Sequence, residues 1–348
     1  MSKYRCEYVW IDADNNLRSK SRIIKSLLIG KQINVNDLPL WNFDGSSTGQ
    51  ADGANSEVYI KPVKVYKDPF NRKTDEIGIV DNILVMCETI NDDMITPHET
   101  NTRSKLVKIM ENPNVSEQEP WFGFEMEFFM IEKHTNLPLG FEDSENIPKQ
   151  GQFYCSNGAN NCYGRTIINK HYDYCLYSGV NIVGINAEVA CGQWEYQIFG
   201  NALSSTDDAW MSKYILSRVA EEYNINISWH PKPVLGDCNG SGMHTNFSTF
   251  KMRDNNGLKH ILDAMPLLEV KHKEHIEVYG KDNDKRLTGE HETASIDNFS
   301  WGYADRGRSI RIGKKVERDG KGYFEDRRPA SSCDMYLVAH KLIETVCN

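Results

Sequence analysis

The chain has 348 residues, 26% of them charged and 39% hydrophobic, with a formal net charge of -9. That length suffices for about two domains and a sizeable core, while an acidic surface repels phosphate backbones and excludes nucleic acid as the expected partner. No stretch approaches the ~20 apolar residues of a membrane span, the opening residues carry no secretory pattern, and nine cysteines without a C-x-x-C pair fit a reducing, cytoplasmic setting.

In chain order, the first ninety or so residues read as short strands ending at turn residues: Tyr8 to Ile11, Val58 to Ile60, Val63 to Tyr66, and the apolar run Ile83 to Cys87. Asp68-Pro69-Phe70-Asn71 is a turn, and Asn91 to Glu99, with Pro97, reads as a linker. The pattern then becomes helical. Thr100 or Thr102 is expected to cap a helix with Leu106, Val107 and Met110 on its apolar face. Phe122 to Ile131 is strand-like. Ile167 to Leu176 has helical spacing, with Ile168, Tyr172, Cys175 and Leu176 on one side. Thr206-Asp207-Asp208 is expected to start a helix whose stripe is Met211, Tyr214, Ile215, Val219 and Tyr223. A helix from Leu258 towards Val278 should break or kink at Pro266, and Met335 to Val346 should be the last helix. The expectation is an α+β chain: a small β-rich N-terminal domain over residues 4–94 and a larger domain over residues 101–348.

Within the strand-like run, Glu125 and Glu127 stand two apart in apolar surroundings. Residues two apart share a strand face. Two carboxylates on a buried strand are costly unless cations neutralise them; the plainer alternative is one salt-bridged and one exposed glutamate. Glu188, Glu195, Glu325 and His244, the last after the glycine-rich stretch 236–242, add acids and one imidazole in similar settings. Such an oxygen-dominated donor set suits Mg²⁺ or Mn²⁺ better than zinc or copper. Arginines cluster late: Arg286, Arg306, Arg308, Arg311, Arg327 and Arg328. Guanidinium binds phosphate and carboxylate bidentately, so the cluster favours anion binding over a solvated surface loop. Neither a Walker loop nor G-x-G-x-x-G occurs, so a nucleotide would be held by metals and arginines. Gly240-Ser241-Gly242 permits a close backbone approach.

Seven blocks together resemble the eukaryotic-type glutamine synthetases: Trp41-Asn42-Phe43-Asp44-Gly45-Ser46-Ser47-Thr48, Trp121 to Glu127, Asn186-Ala187-Glu188-Val189, Gly192 to Ile198, Gly240 to Ser248, Arg286 to Thr293, and Gly322 to Pro329. They fall in that family's order along the whole chain. The resemblance implies a β-grasp N-terminal domain, a catalytic domain on a curved antiparallel sheet, and two stacked pentameric rings with active sites between subunits. It implies ATP-dependent joining of ammonia to L-glutamate through γ-glutamyl phosphate. By motif, Glu127, Glu188 and Glu195 match the ligands of one metal, and Glu125, His244 and Glu325 those of a second that bridges to ATP. Arg306 and Arg311 match phosphate-binding arginines. Glu125, Glu195, Tyr196, Gln197, Ile198, Phe199, Gly200, Asn246, Phe247, Ser248, Tyr323 and Phe324 match nucleotide contacts. Arg286, Arg306, Arg327 and the Asp237-Cys238 loop match glutamate contacts. Glu292 matches the closing flap, and Asp44 the residue that takes a proton from ammonium.

The chain departs from the pattern at Cys238, where the family usually has Trp, at Asp305, usually Asn, and at Ala190-Cys191; the stretch Asn71 to Asp81 is long and should extend a surface turn. Three rivals share parts of this chemistry: a ligase for larger amines, a structural relative without catalysis, and a metal-dependent phosphohydrolase. Retention of Asp44, Glu292 and every metal and phosphate position that could be matched favours the ammonia ligase.

Overall fold

The computed structural model describes residues 2–26, 33–71, 81–143 and 146–348. Five strands come first: β1 (Ser2–Ile11), β2 (Leu17–Ser26), β3 (Trp41–Asp44), β4 (Glu57–Lys67) and β5 (Asp81–Ile90). They form one sheet in the order β2-β1-β5-β4-β3, with β1 and β5 parallel and the other neighbours antiparallel, a grasp-like arrangement. The stretches 58–60 and 63–66, expected as separate strands, are one strand. Pro62 offers no N–H to the ladder, so the register shifts between Pro62 and Lys64 and the strand continues beyond the bulge. The turn at 68–71 is held by the Asp68 carboxylate, which accepts from the Phe70 N–H and the Asn71 side chain at 2.8 Å each. The long surface turn expected after Asn71 lies, at 72–80, outside the described residues.

Period-2 alternation gives this sheet two apolar faces. Tyr4, Cys6, Tyr8 and Trp10 of β1 join Ile83, Val85 and Cys87 of β5 in one core on one face. Val9, Leu84 and Met86 point the other way, into the main core of the molecule. Both faces of the central strands are thus apolar, which is why Ile83 to Cys87 reads as a continuous hydrophobic run.

After α1 (Thr102–Met110) and α2 (Pro113–Ser116), a second sheet is built from β6 (Trp121–Glu132), β7 (Ile182–Ala187), β8 (Gln193–Asn201), β9 (Ile225–Ser228), β10 (Met243–Ser248), β11 (Trp301–Tyr303), β12 (Ile310–Ile312) and β13 (Phe324–Asp326). Its order is β11-β12-β13-β10-β6-β8-β7, with β9 also paired to β6; it is antiparallel except between β11 and β12. The helices α3 (Arg165–Ser178), α4 (Ala202–Glu221), α5 (Phe250–Arg253), α6 (Gly257–Val270), α7 (His272–Val278), α8 (Lys314–Asp319) and α9 (Met335–Val346) accompany it. Trp194, Tyr196 and Phe128 from the sheet share the main core with Trp210 and Ile215 of α4 and Tyr336 and Leu342 of α9. This is the expected α+β fold.

Several local expectations need correction. The cap of α1 is Asn101, whose side chain accepts from the Ser104 N–H at 3.1 Å. Thr102 is the first helical residue and donates to Asp334 at 2.6 Å, while Thr100 binds Gln50. Helix α4 starts earlier than Thr206, at Ala202, capped by Asn201. Asp207 and Asp208 sit inside the helix as buried anchors. Asp207 pairs with Arg103 at 2.9 Å and Tyr336 at 2.7 Å. Asp208 pairs with Lys64 at 2.6 Å, Tyr66 at 2.8 Å and the Asn181 N–H at 3.1 Å. An acidic pair that resembles a helix start therefore ties the first sheet to the second. Tyr223 lies past the end of α4, and Leu176 on α3 is exposed, its expected place taken by Ile167 and His171. Pro266 sits inside α6 without breaking it; the interruption falls at Lys271.

Asp208→Ala strands the buried Tyr66 hydroxyl and takes the acceptor from the Asn181 N–H and the Lys64 ammonium. Chemical denaturation should show a loss of about 3 kcal/mol, and a smaller loss for Asp208→Asn, which keeps an acceptor.

Candidate active site

Strand register brings together residues far apart in sequence. Glu127 on β6 stands opposite Glu195 on β8, and Glu195 opposite Asn186 on β7. On the other side of β6, Glu125 stands opposite His244 on β10; beyond it, Asn246 of β10 faces Glu325 of β13, and Glu325 faces Arg311 of β12. Glu188, just past β7, completes the group. Alternation then does the sorting: acids, imidazole and arginines point to one face, and Phe124, Met126, Phe128 and Tyr196 to the core.

The result is a cleft of about 470 Å³ lined by all six acid and imidazole candidates together with Arg286, Glu292, Arg306, Arg311 and Arg327. His244 Nδ1 lies 3.4 Å from Glu125, 3.7 Å from Glu325 and 4.0 Å from Glu127. Ligand atoms of Glu127, Glu188 and Glu195 all lie within 4.8 Å of one another, as do those of Glu125, Glu195 and His244. The first group coincides with one expected metal set. The second has Glu195 beside Glu125 and His244, while Glu325, 3.7 Å from His244, is paired with Arg327 at 2.5 Å and Arg311 at 2.7 Å.

The electrostatics are those of a crowded anion cluster. Burial, then the neighbouring carboxylate of Glu188, pushes Glu127 well above the usual carboxylate range. Burial also raises Glu188, and Glu195 is raised by burial and then by Glu125, Glu127 and Glu188. Burial, followed by the Arg327 charge, keeps His244 neutral, the form in which imidazole ligates a metal. Local hydrogen bonds steady the acids: Glu127 accepts from the Gly242 N–H at 2.6 Å, Glu188 from Asn186 at 2.9 Å and the Val189 N–H at 3.1 Å, Glu125 from Asn246 at 2.8 Å, and Glu195 from Gln197. An oxygen-rich donor set with one neutral imidazole, dense in like charge, fits hard divalent cations.

Arg286 is buried, and that burial lowers its pKa to about 10, so it stays charged at neutral pH. Its Nη2 donates to the carbonyls of Arg327, Arg328 and Pro329, and its Nε to Asn283, which leaves Nη1 towards the cleft. A Cβ on Gly240 would come 2.5 Å from Arg286 Cγ, and one on Gly242 would come 2.8 Å from Nη1. Both glycines are therefore required by the arginine's path. Arg306 pairs with Glu292 at 3.2 Å, and Arg327 also binds the carbonyls of Arg306 and Glu292. His291 and Glu292 both hold φ in the left-handed region, at 49° and 60°, a strained pair at the tip of the 287–296 loop.

A second hollow of about 270 Å³ adjoins the cleft, sharing Glu125 and Gln197 and lined by Trp121, Phe199, Asn246, Ser248 and Tyr323. Among the expected nucleotide contacts, Gly200 is not part of this lining. Tyr196, Phe247 and Phe324 are fully buried in the main core, so only their main chain can serve a ligand. The Ile198 side chain is likewise core, although the residue borders the hollow. Cys238 is also turned away, packed with Phe129 and Ala190, so its thiol makes no cleft contact. Asp237 is exposed and pairs with His291 at 3.4 Å. Asp44 does not line the cleft at all. It caps a turn, accepting from Ser46 and Ser47 hydroxyls at 2.6 Å each, which hold its carboxyl below the usual range. Sequence reasoning missed Gln150, Tyr154, Asn239 and His291 as lining residues. Only His291, beside Glu292, carried a signal; Gln150 and Tyr154 come from an irregular polar segment.

Comparison with known proteins identifies the family. Residues 99–265 match the family model described as glutamine synthetase, catalytic domain. The chain is 49% identical over 343 residues to a glutamine synthetase of Yarrowia lipolytica, covering 98% of this chain and 90% of that protein. It is 47% identical over 345 residues to a glutamine synthetase cytosolic isozyme of Daucus carota, covering 99% and 94%. Among solved structures, a Plasmodium falciparum glutamine synthetase matches in fold with a TM-score of 0.73 at 19% identity, over 99% of this chain and 71% of that one. With nearly half its residues identical to such relatives along almost its entire length, the chain belongs to the glutamine synthetase family, in its eukaryotic type.

Proposed function

We propose that this chain is a glutamate–ammonia ligase that uses ATP to join ammonia to the γ-carboxylate of L-glutamate, giving L-glutamine, ADP and phosphate through γ-glutamyl phosphate. The observation that carries the reading is one cleft in which buried acids, a neutral imidazole and convergent arginines face each other. Glu127, Glu188 and Glu195 would hold one Mg²⁺ or Mn²⁺, and Glu125, His244 and Glu325 a second. Such ions, when bound, neutralise phosphate charge as Lewis acids.

The chain's own groups do the rest. ATP takes the hollow between Trp121, Phe199 and Tyr323 with its phosphates towards the acids. Arg306, Arg311 and Arg327 offset the repulsion as a γ-carboxylate oxygen bonds to the γ-phosphorus and the bond to ADP breaks. Arg311, held beside the cleft by Glu325, would turn its guanidinium to the phosphates. Arg286 Nη1, Arg327 and the Asp237 loop orient glutamate. Asp44 of a neighbouring subunit, kept ionised by Ser46 and Ser47, takes a proton from ammonium. Ammonia then attacks the acyl carbon, phosphate leaves, and Glu292 on the 287–296 loop shuts out water. This reading takes residues 4–94 as a β-grasp domain and 101–348 as the catalytic domain, assembled as two stacked pentameric rings. A cytoplasmic setting goes with it: no described helix is long and apolar enough to cross a membrane, and curated relatives are named cytosolic isozymes.

Purified protein supplied with ATP, Mg²⁺, glutamate and ammonia should form glutamine, and Glu127→Ala should lower the rate by about 10³-fold or more, the scale of losing metal charge stabilisation. Full activity in that variant would remove the metal assignment. Glu195→Gln relieves like-charge crowding, so in metal-free buffer its thermal midpoint should exceed that of the unmodified protein, while Mn²⁺ should no longer raise it. Asp44→Asn should lose about 10²-fold in glutamine formation. Co-assembly of Asp44→Asn with Glu127→Ala subunits should restore part of the activity if each site draws on two chains; no recovery in verified mixed oligomers would place Asp44 outside the neighbour's site.

A further inference from the structure

Where β13 carries Glu325 and the chain runs on through Arg327, the alternate residues Asp326 and Arg328 face the interior and are almost wholly buried. Their ion pair is closely made: Arg328 donates to Asp326 from its N–H at 3.0 Å, Nε at 2.9 Å and Nη2 at 2.7 Å. The guanidinium lies between the rings of Tyr279 and Phe299, 5.2 and 5.3 Å from their centroids. Its remaining Nη1 meets His272 Nδ1 at 3.0 Å. A guanidinium only donates, so Nδ1 accepts, and the neutral imidazole carries its hydrogen on Nε2. That Nε2 lies 2.8 Å from the carbonyl of Ile296 and donates to it. Ile296 in turn donates its N–H to the Leu287 carbonyl at 2.9 Å, closing the base of the loop whose strained tip is His291–Glu292.

We propose that His272 is a positioning residue that ties the ligand-bearing strand β13 to the base of the 287–296 loop. The inference rests on the ligase reading above for its catalytic consequence. Physically, two consecutive left-handed residues store strain that the loop sheds by opening. Contacts at its base oppose that opening: the Ile296–Leu287 pair, the Thr293 hydroxyl on the Arg286 carbonyl at 3.1 Å, and the His272 link. The start and tip of the loop are also tied to this segment, Arg286 donating to the carbonyls of Arg327, Arg328 and Pro329 and Arg327 to the Glu292 carbonyl at 3.2 Å; the His272 link adds the loop's far end, Ile296, through Arg328 and its partner Asp326 of β13. It therefore anchors the return limb of the loop, so that Glu292, held at the tip by Arg306 and Arg327, stays in place while γ-glutamyl phosphate must be kept from water. Neither ring nitrogen touches a reacting atom.

The two hydrogen bonds separate by substitution. In His272→Asn the side-chain oxygen replaces Nδ1 as acceptor for Arg328, while the short amide falls short of Ile296. In His272→Phe both bonds go and the ring still packs near Phe299, 6.0 Å away between centroids. Amide exchange by mass spectrometry on full-length His272→Asn should run about tenfold faster over 287–296, the factor for one lost hydrogen bond in a locally opening segment, with β13 unchanged. With ATP, glutamate and ammonia, the same variant should release more phosphate than it makes glutamine, as water captures the intermediate. Unaltered exchange over 287–296 with phosphate and glutamine still equal would overturn the assignment. His272→Phe should add faster exchange in β13. If unmodified protein makes no glutamine, the ligase reading falls, and the exchange measurement on either variant still decides whether His272 holds the loop.

Discussion

The site depends on an electrostatic imbalance built into one sheet. Four glutamates, Glu125, Glu127, Glu188 and Glu195, approach each other on the concave side of β6 and its neighbours, and burial raises the cost of their shared charge. Within a low-dielectric cleft such a cluster is tolerated only with counter-charge nearby. Arginines supply part of it: Arg327 and Arg311 on Glu325, and Arg286 beside Glu127. The remainder is like charge that divalent cations could neutralise, and without them the same residues serve stability poorly. The apolar side chains alternating with them, from Phe122 to Phe128, hold the strand so firmly in the core that the carboxylates cannot retreat to solvent.

What was legible in the sequence follows physical lines. Long apolar or alternating runs such as Ile83 to Cys87 and Phe122 to Ile131 appear as strands because their burial has no other solution. Glu125 and Glu127 were readable as partners because period 2 is rigid. Which distant residues would join them was not readable from spacing, since it depends on cross-strand register set by long-range pairing; the resemblance supplied that list, and Glu195 opposite Glu127 and His244 opposite Glu125 account for its grouping. The misreadings are of local signals. Asp207-Asp208 carries a strong local signal that tertiary contacts override, the acids pairing with Arg103, Lys64 and two tyrosines, whereas Pro266 sits exposed on a helix that runs through it. Side-chain direction was the other gap: Tyr196, Phe247, Phe324 and Cys238 lie in motifs that reach the cleft, yet alternation or loop path turns them to the core.

Charge also organises the cleft's approach. The Asp237–His291 and Arg306–Glu292 pairs join two loops across the opening, and both involve one residue of the strained tip. Their exposure makes each pair weak in isolation, so the loop is held mainly by the contacts at its base rather than at its rim.

The shared interior of the two sheets has a consequence for modularity. Val9, Leu84 and Met86 reach into the same core as Trp210 and Tyr214, and Phe70 sets its ring edge-on against Tyr174 at 5.2 Å. The grasp-like sheet is thus half of a sandwich whose filling belongs to both slices. Neither piece can be swapped or recombined on its own without baring oily surface to water, so the two must vary in concert, and the distance from the Asp44 turn to the cleft is inherited as a rigid dimension of the whole chain.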